Sequence, residues 1–119
     1  MLPAQVRPLS SAAAFRLAYR EGRRLTGDVA VLYARPNGLP VTRFGISVRR
    51  SAGGAVRRNR VRRRVREAIR LEQDRVAGGF DVVLVPRLPA ADARFTALRE
   101  AVRDLLMQAG VVRGAGEGF

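Results

Sequence analysis

Arginine side chains are concentrated in one short part of the chain, and their chemistry is that of phosphate binding. Residues 49–70 contain ten arginines against a single acid, Glu67, which gives this segment +9 of the formal net charge of +13. Like charges at helical spacing repel one another, so the arrangement indicates a compensating partner. Each guanidinium offers a planar fork of donors that matches a phosphate. The segment therefore predicts an interface for nucleic acid or for an anionic membrane.

The residue types that are missing exclude most protein-based catalysis. The chain has no Cys, His or Lys, and therefore no thiol nucleophile, imidazole base, zinc finger or phosphate-loop lysine. The carboxylates are scattered, and Glu100 with Asp104 at i,i+4 is typical of a solvated helix face. We expect neither a free-standing protein nuclease nor a metal bound by protein side chains.

Hydrophobic periodicity predicts a mixed order of helices and strands that would position the arginines. The first helix is opened by Ser10 or Ser11 and ended by Gly22. Strands follow at 28–35 and 41–50, and the Asn37-Gly38 pair between them predicts a hairpin. A basic helix, a buried strand at 80–87 and a last helix complete the order. The inner side of the last helix is predicted to carry Leu98, Ala101, Val102, Leu105, Leu106 and Ala109.

The strand at 41–50 and the basic helix are both predicted to have one apolar and one polar face. Side chains alternate between the two faces of the strand, so one face is predicted to lie on the core and the other to face solvent. Its core face carries Phe44, Ile46 and Val48, and its solvent-exposed face carries Arg43, Gly45, Ser47 and Arg49. The helix, which Gly78 and Gly79 are predicted to end, has an apolar stripe of Val61, Val65, Ala68, Ile69 and Val76. Its flank and back carry Asn59, Arg62, Arg63, Arg66 and Arg70.

Length and composition predict one folded domain. The 119 residues are 47% hydrophobic, which is enough for a core, and we expect a single domain over 1–119 with flexible ends at 1–10 and 110–119. No run of about 18 apolar residues suggests a transmembrane helix, and the first residues lack the apolar stretch of a signal peptide. A cytoplasmic location is therefore expected.

The segment FGISVRRSAGGAVRRNRVRRRVREAIR, residues 44–70, resembles the signature region of the bacterial ribonuclease P protein subunit. The likeness lies in a Gly-hydrophobic-Ser-Val strand, a Gly-x-Ala-Val loop, and Arg-Asn-Arg followed by basic residues at helical spacing. FRLAYREG before a VLY strand, and FDVVLVPRLPA after the basic helix, extend the resemblance to about residues 15–106. Departures from the family pattern occur at Ser51, Gly54 and Arg64.

The resemblance implies an α+β fold, a small α/β sandwich with an about four-stranded central sheet and three helices. It also implies a left-handed βαβ crossover, where the general rule favours the right-handed form. The implied function is that of the accessory subunit of an endoribonuclease, ribonuclease P, whose catalytic groups lie on the partner RNA. That RNA would bind Mg²⁺ and remove the 5′ leader of precursor tRNA. The implied partners are the catalytic RNA and precursor tRNA, with no membrane and no obligate protein partner.

Two sets of residues carry over from the family by position. Contact with the catalytic RNA is implied for Arg50, Arg58, Asn59, Arg60, Arg62, Arg63 and Arg66. A cleft for the precursor leader is implied for Phe15, Tyr19, Val31, Tyr33 and Ser47. Plain core packing is an equal alternative for Phe15, whereas the hydroxyl groups of the two tyrosines favour the cleft.

Two other functions fit the charge. A ribosomal or other structural RNA-binding protein has similar size and basicity, and only the family motifs argue against it. A helix lying on an anionic membrane fits less well, because the apolar stripe consists of Val and Ala without Trp, Phe or Leu anchors.

Overall fold

The computed structural model describes residues 6–113, in which one mixed sheet carries helices on both faces. The elements are β1 (Val6–Pro8), α1 (Ala12–Glu21), β2 (Arg23–Thr26), β3 (Ala30–Pro36), β4 (Thr42–Ile46), α2 (Ala55–Arg70), β5 (Phe80–Pro86) and α3 (Phe95–Gln108). Short 3₁₀ turns lie at Arg50–Ala52, Gln73–Arg75 and Leu88–Ala91. The predicted α+β class with three α-helices is confirmed, and the two short edge strands β1 and β2 bring the sheet to five strands.

The strand order is β1-β4-β5-β3-β2, so the predicted hairpin between β3 and β4 is wrong. The last strand, β5, lies between them, antiparallel to β3 and parallel to β4. Both of its faces are covered: Val82 and Leu84 join the core under α2 and α3, while Val83 and Val85 join the cluster under α1. A strand that is apolar on both faces is stable only at the centre of a sheet, and this preference overrides the local turn signal.

The Asn37-Gly38 turn still has the chemistry that its sequence predicts. Gly38 has a φ of 72°, a value that favours glycine. The Asn37 backbone N–H donates to the carbonyl oxygen of Gly79 at 2.8 Å, and its side-chain amide donates to Asp81 at 2.9 Å. The turn is therefore anchored to the start of β5 instead of closing a hairpin.

Helix α2 connects the parallel strands β4 and β5, and the hand of this crossover stays a prediction from the resemblance. The buried residues of α2 are Val61, Val65, Ala68 and Ile69, as predicted. The helix ends at Arg70 and not at Gly78, although Val76 is buried beyond it. Just after the helix, buried Glu72 pairs with Arg99 at 3.4 Å and with Arg103 at 3.5 Å, which ties this segment to α3.

Strand β4 is covered on both faces over part of its length, so the prediction that one face is exposed to solvent is wrong there. Phe44 is buried in the core below α2, with Ile46 and Val48 packed against it, as predicted. On the other face, Gly45 is buried because the ring of Phe15 lies directly on it. A Cβ atom at Gly45 would overlap that ring, so glycine is what permits α1 to approach the sheet here.

The ends of the fold reach further than the sequence predicts. Val6–Pro8 pairs in parallel with β4, and Leu9 is buried. Near the other end Val111 and Val112 are buried as well. Residues 6–9 and 111–112, for which the sequence predicts flexible ends, are thus part of the fold, while 1–5 and 114–119 lie outside the described residues. The caps of α1 are as predicted, with Ser11 accepting from the Ala14 N–H and Gly22 at the C-cap.

A buried carboxylate joins the three central strands. The side chain of Asp81 in β5 accepts two hydrogen bonds from Arg43 of β4, at 2.8 and 2.7 Å, and Arg35 of β3 lies 3.9 Å away. Burial by itself raises the pKa of Asp81, but the hydrogen bonds from Arg43 and Asn37 outweigh this and hold the pKa below its ordinary value. Asp81 is therefore charged in the folded protein wherever the pH exceeds its lowered pKa.

We expect Asp81→Asn to lower the free energy of unfolding at pH 7 by about 3 kcal/mol, since it breaks a buried ion pair. Because the folded pKa lies below the unfolded value of about 3.9, the wild-type pair stabilises fully above that value and is lost as pH falls through the folded pKa. Urea unfolding at pH 7 and at pH 3 measures both effects. The difference in the free energy of unfolding between wild type and Asp81→Asn should be smaller at pH 3 than at pH 7. A larger difference at pH 3 would contradict this account. The exposed Asp104→Asn is the matched control, with little change at either pH.

Candidate nucleic-acid interface

Helix α2 presents its arginines on two different flanks, because its buried stripe fixes its rotation against the sheet. The first flank faces the segment that follows β5. Its contacts are Arg57 Nη2 with Asp92 Oδ2 at 3.1 Å, Arg60 Nε with the Ala91 carbonyl oxygen at 3.1 Å, Arg64 Nε with the Ala90 carbonyl oxygen at 3.2 Å, and Arg64 Nη2 with the Ala93 carbonyl oxygen. These arginines hold the loop between β5 and α3 against the helix.

Two sequence-based interpretations change as a result. Arg60, which is predicted to bind RNA, is exposed, but its Nε already donates a hydrogen bond within the protein. Arg64, one of the positions that depart from the family pattern, binds carbonyl oxygens of the loop and thus has a structural role. Sequence reasoning missed these roles because backbone acceptors leave no residue pattern.

The second flank of α2 is open to solvent. Arg58 Nη1 donates to the carbonyl oxygen of Gly53 at 2.8 Å, and Arg62 Nη1 donates to Asn59 Oδ1 at 2.9 Å. Asn59 lies within the helix, where it orients Arg62. Arg63 and Arg66 are exposed and make no hydrogen bond or ion pair with any residue in 6–113. Their guanidinium groups are the ones most available to an external anion.

The single acid of this helix is compensated locally. Glu67 accepts hydrogen bonds from Arg70 at 2.9 and 2.6 Å, and this interaction lowers the pKa of Glu67. Glu67 and Arg70 thus form a pair on the helix surface. The charge of Arg62, Arg63 and Arg66 consequently has no neutralising acid on α2. Arg50, also exposed, begins the 3₁₀ turn that precedes the helix.

Three aromatic rings form a row on the other side of the sheet. The ring centroids of Phe15 and Tyr19 on α1 are 6.4 Å apart, and Tyr19 meets Tyr33 of β3 edge to face at 5.0 Å. Tyr19 is 38% exposed, whereas Phe15 is half-buried on Gly45. The structure thus brings the three predicted aromatics together and gives Phe15 a packing role as well.

A cavity of about 500 Å³ adjoins this row at Tyr33. Val31 and Tyr33 line it from β3, and Arg24, Arg49 and Arg87 bring positive charge to it. Arg24 Nε also donates to the Tyr33 hydroxyl at 3.3 Å. Ser47 is half-buried and is not among the lining residues, whereas Ser51 is. The sequence did not single out Arg24 or Arg87, because they come from segments that only the fold brings next to Tyr33.

Comparisons with known proteins establish the family of this chain. The family model for ribonuclease P matches residues 2–110. A ribonuclease P protein component from Roseiflexus castenholzii is 46% identical over 97 residues, which cover 81% of this chain and 80% of that protein. The chain belongs to the bacterial ribonuclease P protein family.

Solved structures of the family share the fold. The ribonuclease P protein from Thermotoga maritima matches with a TM-score of 0.79 and 33% identity, covering 91% of this chain and 99% of that one. The Staphylococcus aureus ribonuclease P protein matches with a TM-score of 0.80 and 26% identity, covering 89% and 97%. The protein is therefore the subunit of an endoribonuclease that acts in tRNA 5′ maturation, with the ribonuclease P RNA and a tRNA substrate as partners. The ribosomal alternative is wrong.

The carboxylates inside the fold are already engaged. Asp81 is held by Arg43, and Glu72 by Arg99 and Arg103. Within residues 6–113, no group of three or more potential ligand side chains could hold a metal ion. The helices in this part of the chain are also too short or too polar to cross a membrane.

Proposed function

We propose that the open flank of α2 binds the catalytic RNA of ribonuclease P, and that the aromatic row binds the 5′ leader of precursor tRNA. The observation that carries the first part is the exposure of Arg63 and Arg66 without an acceptor in the described chain, beside a Glu67 already paired with Arg70. An RNA backbone supplies the missing acceptors. Arg50, Arg58, Asn59 and Arg62 extend this surface, and Arg60 contributes the nitrogens that the loop leaves free.

The same proposal assigns the cleavage chemistry to the RNA. Mg²⁺ bound by the RNA would activate the water and stabilise the leaving oxygen, as metal ions do in phosphoryl transfer. The protein would reduce the repulsion between RNA phosphates that come together in the particle, since its arginines replace part of the counterion charge. We place this assembly in the cytoplasm.

The leader part of the proposal rests on the accessible rings. A single strand stacks its bases on aromatic side chains without reading their identity, and each stack contributes about 1–3 kcal/mol. Tyr19 is the most exposed ring of the row, and Tyr33 lies between it and the cationic cavity. A strand stacked on these rings would direct its phosphates toward Arg24, Arg49 and Arg87, which suits the backbone of a leader.

We expect the double variant Tyr19→Ala, Tyr33→Ala to weaken binding of precursor tRNA to the reconstituted particle by about 1–3 kcal/mol for each lost stack at most. Affinity for mature tRNA should stay near the wild-type value, because only the leader distinguishes the two substrates. Binding of both tRNA forms to the same particle measures the difference.

The double variant Tyr19→Phe, Tyr33→Phe is the matched control. It keeps both rings and removes only the hydroxyl groups, so precursor binding should be largely retained. Thermal melting establishes that each variant is folded. If precursor and mature tRNA are weakened equally by the alanine variant, the rings serve packing and the leader lies elsewhere.

A further inference from the structure

A second groove lies between α2 and the edge of the sheet formed by β1 and β4, at the opposite end of the aromatic row from the Tyr33 cavity. Its volume is about 410 Å³. The residues that matter to its chemistry are Phe15, Phe44, Ile69, Arg62, Arg66 and Gln73. We propose that this β1 groove binds one unpaired nucleotide of the catalytic RNA, with the base on the apolar floor and the phosphate on the arginine rim. The inference rests on the proposed function, because it assumes that RNA lies along α2.

The floor of the β1 groove suits a flat apolar group. Phe44 and Ile69 line the groove from the α2 side of β4 and are 9% and 6% exposed, and the half-buried ring of Phe15 lines it from the opposite face of this strand. A groove of a few hundred Å³ is in the range that holds small ligands. Base stacking on an aromatic ring is favourable for every base, so Phe15 provides a platform without requiring a particular sequence.

The rim of the β1 groove suits an anion. Arg62, Arg66 and Arg70 follow one another at intervals of four residues along α2, and all three line the groove. Arg70 is paired with Glu67, and Arg62 with Asn59, but Arg66 makes no hydrogen bond or ion pair within the described residues. None of the described residues that line the groove is acidic. Arg66 is therefore the group positioned to bind a phosphate at the mouth of the groove.

Gln73 adds a group that can recognise a base. Its side chain is half-buried, lines the groove from the 3₁₀ turn after α2, and carries both a donor and an acceptor. An apolar peptide would use the floor but not the arginines, and a free phosphate would use the arginines but not the floor. A nucleotide uses all three features, which is why it is the occupant we infer.

The catalytic RNA is the source that the position of the groove favours. In the proposed complex this RNA lies along α2, whose residues Arg62, Arg66 and Arg70 form the rim, so an unpaired nucleotide enters from the Arg66 side. Phe15 belongs both to the aromatic row and to the β1 groove, so the leader is the competing occupant that the experiment must separate.

A photoreactive benzophenone side chain at position 73 of the full chain, in the reconstituted particle, tests the site directly. We expect a cross-link to a single unpaired nucleotide. A cross-link formed with catalytic RNA alone supports the proposal, and a cross-link that requires precursor tRNA overturns it in favour of the leader. The same probe at position 63 is the reference. Cross-linking from 63 but not from 73 overturns the groove proposal and leaves the α2 interface standing, whereas no cross-link from either position overturns both.

Affinity gives a second test, with Gln108 as the matched control. Gln73→Ala should weaken binding of the catalytic RNA by about two- to tenfold, the effect of one or two lost hydrogen bonds. Gln108→Ala should change nothing, because Gln108 ends α3 beside Arg23 of β2, at the far edge of the sheet. Equal affinities for Gln73→Ala and wild type would overturn the assignment of a base to this groove.

Discussion

Replacing Arg63 and Arg66 together by glutamine is expected to weaken binding of the catalytic RNA by about ten- to a hundredfold. A hydrogen bond to a charged group contributes about 1.5 kcal/mol or more, which is roughly tenfold in affinity. Because salt screens exposed charges, the two arginines together contribute less than twice the strongest single value. The salt dependence should change as well, with the slope of log K against log salt falling by about two. Filter binding across a salt series measures both quantities.

The control for this experiment removes the same charge from another surface. Arg20 and Arg23 are exposed residues at the end of α1 and in β2. The double variant Arg20→Gln, Arg23→Gln lowers the net charge equally, yet it should leave the slope near its wild-type value. If both double variants change the slope alike, net charge and not the α2 flank governs binding. The Arg63, Arg66 variant should also raise the magnesium concentration that precursor cleavage requires.

Val65→Asp should abolish folding under conditions in which the wild-type protein is stable. Val65 is fully buried in the stripe of α2. The substitution loses about 2 kcal/mol of apolar burial and places a carboxylate in a site without a partner, at a cost of several kcal/mol more. Domains of this size have only about 5–15 kcal/mol of stability, so most of it would be lost. Circular dichroism melting should show little or no cooperative transition.

The neighbouring substitution Arg66→Asp provides the contrast. It introduces the same carboxylate one residue later, on the exposed flank, so the melting temperature should stay within a few degrees of wild type. RNA binding should nevertheless fall, because a phosphate contact becomes a repulsion. If Val65→Asp melts cooperatively at the wild-type temperature, the apolar stripe of α2 does not pack in the hydrophobic core.

The sequence by itself determined the features that depend on local periodicity. The apolar stripe of α2 follows from the spacing of Val61, Val65, Ala68 and Ile69, and rotation of the helix against the core then places the arginines outward. The start and end of α1 follow from the chemistry of Ser11 and Gly22. The family motifs likewise identified the function, because they preserve the order of these local elements.

Only the tertiary structure decided which strands are neighbours and which arginines are free. Strand β5 separates β3 from β4 because both of its faces must be covered, a requirement that no local turn signal expresses. Gly45 lies under Phe15, a residue of a different element. Arg60 and Arg64 find backbone acceptors 31 and 26 residues away, whereas Arg63 and Arg66, in the same run of sequence, find none among the described residues. Identical side chains thus acquire different roles, because non-local packing determines which of them meet a carbonyl oxygen.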